Sequence, residues 1–166
     1  MAYLSKTLEQ LIERAERRGT AVKRVREGSI MGNHMWGMSR EAQREYISST
    51  QMIDQWRVTV HRTKQDGRRY RNIIVDHYGT EIAFIIIDET RGTVDLHNYY
   101  GESNSDRDAL NGLCSHYGID RRFRYRPSIG EFTEVTADRE DIGKIQSDMI
   151  AMRQEHIRKE APWILS

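Results

Sequence analysis

The chain has a single cysteine among its 166 residues, Cys114, so no intramolecular disulfide can form, which fits a reducing cytoplasm. No apolar run approaches the ~20 residues of a membrane span, and residues 1–16 lack the apolar core of a signal peptide. Secretion and membrane insertion are therefore not expected, and the expected location is the cytoplasm. Neither sign of charge prevails: Lys+Arg number 26 against 25 Asp+Glu, for a net +1. That balance argues against binding DNA by bulk charge, while leaving room for a local basic patch. There is no phosphate-binding loop with its lysine, no zinc signature and no complete catalytic constellation, so neither cofactor nor metal is expected.

What is present is a patterned chain long enough for one domain with a real core. Leu8, Leu11, Ile12 and Ala15 recur at helical spacing from Ser5 to a stop at Gly19. A short second turn is expected over 21–26. The segment 28–38 mixes Ile30, Met31, Met35, Trp36 and Met38 with glycines. It reads either as a loop folded over the sheet or as a partner-binding loop. Ser39 caps a helix expected to run to about Asp54. Trp56, Val58 and Val60 then alternate with Arg57, Thr59 and His61, the period of a half-buried strand. A second strand covers 72–76, between turns at 65–67 and 77–79. Residues 82–87 are apolar on both faces, as in a central strand, and 93–97 alternate again. Ser105 is expected to cap a helix carrying Ala109, Leu110, Leu113 and Cys114 and ending at Gly118. The position of Cys114 on that stripe suits a buried structural thiol. Residues 121–126 and 130–135 form a last strand pair. Over 137–159, Ile142, Ile145, Met149, Met152 and His156 follow a 3-4-3-4 spacing, predicting a long amphipathic helix. It packs on its own sheet or meets a second copy as a homo-oligomer contact. Trp163, Ile164 and Leu165 offer a terminal anchor.

The expected class is α+β: a single, mainly antiparallel sheet of five to six strands with N-terminal helices, one inserted helix and a long C-terminal helix. The expected organisation is a helical segment over 1–54, a sheet core over 55–136 with its inserted helix at 105–117, and a helix and tail over 137–166.

Within the block 71–135, His77, Thr80 and Ile82 are followed by Thr93-Val94-Asp95-Leu96. Next come Tyr99, Tyr100, Gly101, Ser103 and Ser105, then Leu110-Asn111, then Gly130 with Phe132. This succession resembles small accessory proteins of tailed bacteriophages, most without assigned function. It departs from them at Asn98 and Tyr99, where glycines are expected, at Glu102 and Asn104, and at Phe132, where a tryptophan is usual. The first 54 residues have no counterpart. The resemblance implies a phage protein acting in the host cytoplasm and implies no residue roles.

Four groups of residues are candidates for chemistry. Arg122, Arg124 and Arg126 share one face of a strand, with Phe123 and Tyr125 on the other. Their ~6.5–7 Å repeat roughly matches successive phosphates, and guanidinium forks suit phosphate. Arg68, Arg69 and Arg71 form a second basic cluster. The alternative is a solvated face paired with Glu131 and Glu134. The bend at Tyr99, Tyr100, Gly101 and Ser103 leads into a helix N-terminus, where amides favour an anion and tyrosines offer stacking faces; it also reads as a plain capped turn. His61 and Thr63 spell half of a two-histidine phosphoesterase signature, with His97 the nearest second half. Asp76, His77, Asp88, Asp95 and His97 are metal candidates only if strands bring three together.

These readings predict a cytoplasmic, non-enzymatic phage accessory protein. Its ligand would carry phosphate, as nucleic acid or a nucleotide signal, or its partner would be a host protein. Counteracting a host defence system is the setting the resemblance implies. One alternative is a protein-only interaction module or inhibitor using Met31, Met35, Trp36 and the C-terminal helix. The other is a phosphodiesterase centred on His61 and His97.

Overall fold

Pairing between successive strands organises the chain. In the computed structural model, which describes residues 3–30 and 35–135, five strands form one antiparallel sheet in the order β1-β2-β3-β4-β5. They are β1 Thr20–Arg26, β2 Met52–Gln65, β3 Arg68–His77, β4 Thr80–Asp88 and β5 Thr93–Tyr99. Two of the hairpins turn on pairs of residues with positive φ, Asp66 (51°) with Gly67 (77°) and Tyr78 (49°) with Gly79 (80°). Those are the dihedrals of two-residue type I′ turns, whose twist matches the strands they join.

One face of the sheet carries the core. Val58 pairs with Val75, and Val75 with Ala83; Val60, Ile73, Ile85 and Leu96 form the next row across β2 to β5. All are buried. Two helices cover this face. The first, α1 (Lys6–Arg18), is capped by the Ser5 side chain, which accepts from the Leu8 N–H, and it stops at Gly19. Its stripe of Leu8, Leu11, Ile12 and Ala15 is buried against β1 and β2. The helix α2 (Arg40–Ser49) lies beside a 3₁₀ turn at Glu27–Ser29. The inserted helix, α3 (Asn104–Tyr117), buries Ala109, Leu110, Leu113 and Cys114. At 0–7% exposure each such large aliphatic side chain contributes roughly 1.5–3 kcal/mol. On the opposite face Ile74, Phe84 and Ile86 are only half-buried, so β4 is interior in the sheet but less fully covered than its sequence predicts.

The α+β class and the antiparallel sheet stand as expected, with four differences. The segment 21–26 is a strand, not a turn, so residues 1–54 are not purely helical. Their β1 pairs with β2 along its length. The α2 helix ends at Ser49 and β2 begins at Met52. The cap of α3 is Ser103 rather than Ser105. The last pair, β6 (Phe123–Arg126) and β7 (Glu131–Glu134), forms its own two-stranded ribbon instead of joining the sheet. The reason lies in Asn111. Its carboxamide donates to the Phe123 carbonyl (3.0 Å) and accepts from the Phe123 N–H (2.8 Å). The inner edge of β6 is thereby satisfied by a helix side chain in place of a neighbouring strand. The expected C-terminal helix at 137–159, the terminal anchor and Met31 lie outside the described residues. Among the described residues, no helix is long and apolar enough to cross a membrane.

Candidate functional site

The ribbon holds the first candidate site. Phe123 is buried, stacked near Phe132 (5.9 Å) and tilted against Tyr99 (4.5 Å), and Tyr125 contacts Phe132 (6.3 Å). The alternate residues Arg122, Arg124 and Arg126 therefore take the other side, as the strand period predicts. The Arg122 carbonyl accepts from Val135 (2.9 Å), which extends the ladder one step before β6. Arg122 and Arg126 are exposed and Arg124 is half-buried. Among the described residues none of the three makes an ion pair or a side-chain hydrogen bond, although Arg126 stands opposite Glu131 in register.

The arginine that is clasped is their neighbour. Arg121 donates from Nε (2.5 Å) and Nη2 (2.7 Å) to the two oxygens of Glu134, and from Nη1 (2.7 Å) to the Leu96 carbonyl of β5. Its guanidinium also lies over the rings of Tyr99 (5.4 Å) and Phe123 (5.9 Å). This fork ties ribbon to sheet. It raises the Arg121 pKa and holds the Glu134 carboxyl below its ordinary range. Sequence reasoning set Glu134 against the exposed arginines and passed over Arg121. The partner choice depends on the turn after α3, where Gly118 adopts a left-handed conformation.

The aromatic bend is largely structural. Tyr99 is half-buried in the packing just described. Gly101 leaves room for Phe132 rather than for a ligand, since a Cβ there would stand 2.2 Å from its ring. The Ser103 hydroxyl caps α3 by accepting from Asp106 N–H (3.1 Å). The buried Asp106 carboxylate already occupies the helix N-terminus, accepting from Glu102 N–H (3.0 Å), so the anion expected there meets a carboxylate instead. Tyr100 keeps an exposed ring, its hydroxyl donating to Glu102 (3.0 Å).

The second basic cluster is split. Arg71 faces the core side and meets Glu16 (3.2 Å) and Glu89 (3.9 Å), with Arg62 also on Glu16 (2.9 Å). The histidine pairing does not assemble. His61 and Thr63 lie exposed on β2, and His97 lies exposed on β5 against Phe84. Two strands separate β2 from β5, which at ~4.8 Å per strand sets these imidazoles on the order of 14 Å apart. One phosphate cannot touch both, so the phosphodiesterase geometry is absent. Among the described residues no three His, Cys, Asp or Glu side chains converge on a metal position.

A histidine that sequence reasoning did not weigh as a base has the more ordered setting. His77, at the end of β3, places Nδ1 2.7 Å from Asp106 Oδ1, with side chains 10% and 5% exposed. Trp56 stacks on its ring (3.9 Å between centroids, 14° between planes) and Tyr78 flanks it (4.5 Å). The ring lines a cleft of about 410 Å³, together with Lys23, Gln55, Ser5 and Ser105. The one readable signal was Ser103-x-x-Asp106, a cap spelling that places a carboxylate in the first turn.

No family model, curated protein or solved structure matches the chain.

Proposed function

We propose that the β6–β7 ribbon binds a phosphate-bearing ligand, specifically a single nucleic-acid strand laid along Arg122, Arg124 and Arg126. One observation carries this reading. The three guanidiniums repeat on one side of an extended segment and are unpaired among the described residues, whereas the adjacent Arg121 is fully engaged. Side chains at alternate strand positions repeat every ~6.5–7 Å, close to phosphate spacing, and a guanidinium fork binds phosphate oxygens in pairs. Tyr100 has an exposed ring, but its bend packs on the ribbon's aromatic face, so the contact rests on the arginines. The role is that of a binder. The phage resemblance supplies the setting, an accessory protein in an infected cell's cytoplasm acting against a host defence system.

The test is fluorescence anisotropy with a labelled single-stranded oligonucleotide across a salt series. Three phosphate contacts give a log–log slope of about −2 for a single strand. Replacing all three arginines with alanine removes binding and slope together. Salt-independent affinity, or an unchanged slope in the triple variant, refutes the reading.

A second reading, a protein-interaction module, rests on Trp36, which is 92% exposed in the glycine-rich loop before α2. Loss of a captured partner by Trp36→Ala, with oligonucleotide binding absent in the parent protein, would favour it.

A further inference from the structure

The cleft beside His77 is built from the same face of three adjacent strands. Lys23 on β1 pairs with Trp56 on β2, and Trp56 pairs with His77 on β3. The row Lys23–Trp56–His77 is thus on the order of 10 Å long at ~4.8 Å per strand. All three side chains line one cleft of about 410 Å³, a size suited to a small organic ligand. The ribbon arginines take no part in it.

The hydrogen bonds fix what the cleft offers. Asp106 accepts at both oxygens, Oδ1 facing His77 Nδ1 (2.7 Å) and Oδ2 facing the Glu102 N–H (3.0 Å). As Asp106 supplies acceptors, Nδ1 supplies the proton, and in the neutral ring Nε2 is then a lone-pair acceptor. Among the described residues Nε2 has no hydrogen-bond partner, although the side chain is 10% exposed and lines the cleft. In that neutral form it offers a lone pair to a ligand donor, a hydroxyl or an N–H. Trp56 and Tyr78 hold the imidazole at a fixed angle and give the cleft aromatic walls. At the far end of the row Lys23 supplies a cation, and Ser5 and Thr7 also line the cleft. Asp108, also on the rim, is turned to Arg107 (2.8 Å).

We propose that this cleft binds a ribonucleotide-type ligand, with a sugar hydroxyl donating to His77 Nε2, the base against the aromatic wall and the phosphate toward Lys23. Such a ligand combines a donor, a flat ring and an anion, one for each of the three side chains of the row.

The probe is adenosine 5′-monophosphate, followed by NMR of the wild-type protein with labelled histidine. Saturable shifts of the His77 ring signals are expected at millimolar probe. The 2′,3′-dideoxy form, which lacks the donor hydroxyls, binds about tenfold more weakly, the worth of one such hydrogen bond. His77→Phe, which keeps the stack on Trp56 and removes Nε2, loses binding to a similar degree. The triple arginine-to-alanine variant binds the probe as wild type does, which separates this site from the ribbon. Absence of a His77 shift, or equal affinity for the dideoxy form, overturns the proposal. Because that comparison is made on unaltered protein, it holds even if His77→Phe fails to fold.

Discussion

Gly101 and Phe132 fill one another's space: a Cβ on Gly101 would lie 2.2 Å from Phe132 Cε2 and 2.4 Å from Cζ. The missing side chain lets the ribbon's aromatic face seat on the bend that follows β5. Gly101→Ala therefore forces Phe132 out of its stack with Phe123. Overpacking of this kind costs about 1–3 kcal/mol, and the expected result is a lowered Tm in calorimetry. Phe132→Ala added to Gly101→Ala removes the clash, so the double variant falls short of the summed losses. Simple additivity would show that the two positions do not meet.

The Arg121–Glu134 fork makes ribbon docking dependent on pH. Glu134 is held below its ordinary 4.5, first by the hydrogen bonds from Arg121 and opposed by its partial burial. A carboxyl depressed by folding stabilises the native state above its unfolded pKa, and that stability is lost as pH falls through the folded value. Both side chains are about a quarter exposed, so solvent screening limits the effect to about 1 kcal/mol. Denaturation curves between pH 7 and pH 3 should lose that increment below 4.5, and Glu134→Gln should lose it at every pH and flatten the dependence. Arg121→Lys does not substitute, since an ammonium cannot span two carboxylate oxygens and the Leu96 carbonyl in one plane.

Local patterns in the chain made much of this fold readable. The α1 stripe, the turns at 65–67 and 77–79 and the helix that stops at Gly118 are set by residues within a few positions of each other. The strand β1 was hidden because Val22 and Val25 fall three apart and mimic a helical spacing. The register shift at Lys23/Arg24 leaves the extra residue, Gln55, on β2. The fork partner of Arg121 and the pairing of His77 with Asp106, 29 positions apart, depend on how α3 is laid across the sheet. No spacing rule encodes that. The arginine alternation was legible because a strand's period of two is local, whereas the separation of His61 from His97 required the strand order.

Gly112 lies at the crossing of α3 and the chain entering α1. A Cβ there would stand 2.9 Å from Leu4 Cα and 3.0 Å from the Tyr3 carbonyl oxygen. Two effects oppose each other in Gly112→Ala. Helix propensity favours alanine by about 1 kcal/mol, while the obstruction is backbone and cannot rotate away, at about 1–3 kcal/mol. The clash prevails, and the variant should be less stable and cleaved faster by protease ahead of α1. A stabilised variant would mean that residues 3–4 shift freely.

Cys114 is 1% exposed on the inner stripe of α3, and burial pushes its thiol up to about 11 from an ordinary 9.0. At pH 8 the native thiolate fraction is then about one in a thousand. Ellman's reagent should leave the folded protein unmodified and react fully in guanidinium, whereas rapid native labelling would contradict a structural thiol. The same shift acts on stability. A group whose pKa is raised by folding supports the native state below its unfolded value and withdraws that support as pH rises through the folded one. The loss should begin near pH 9.0 and be complete near 11, amounting to about 2–3 kcal/mol at 1.36 kcal/mol per pKa unit. Cys114→Ala pays a cavity cost at neutral pH but lacks this alkaline decline. Its stability curve should therefore approach that of the wild type between pH 9 and pH 11, and parallel curves would assign the decline to other groups.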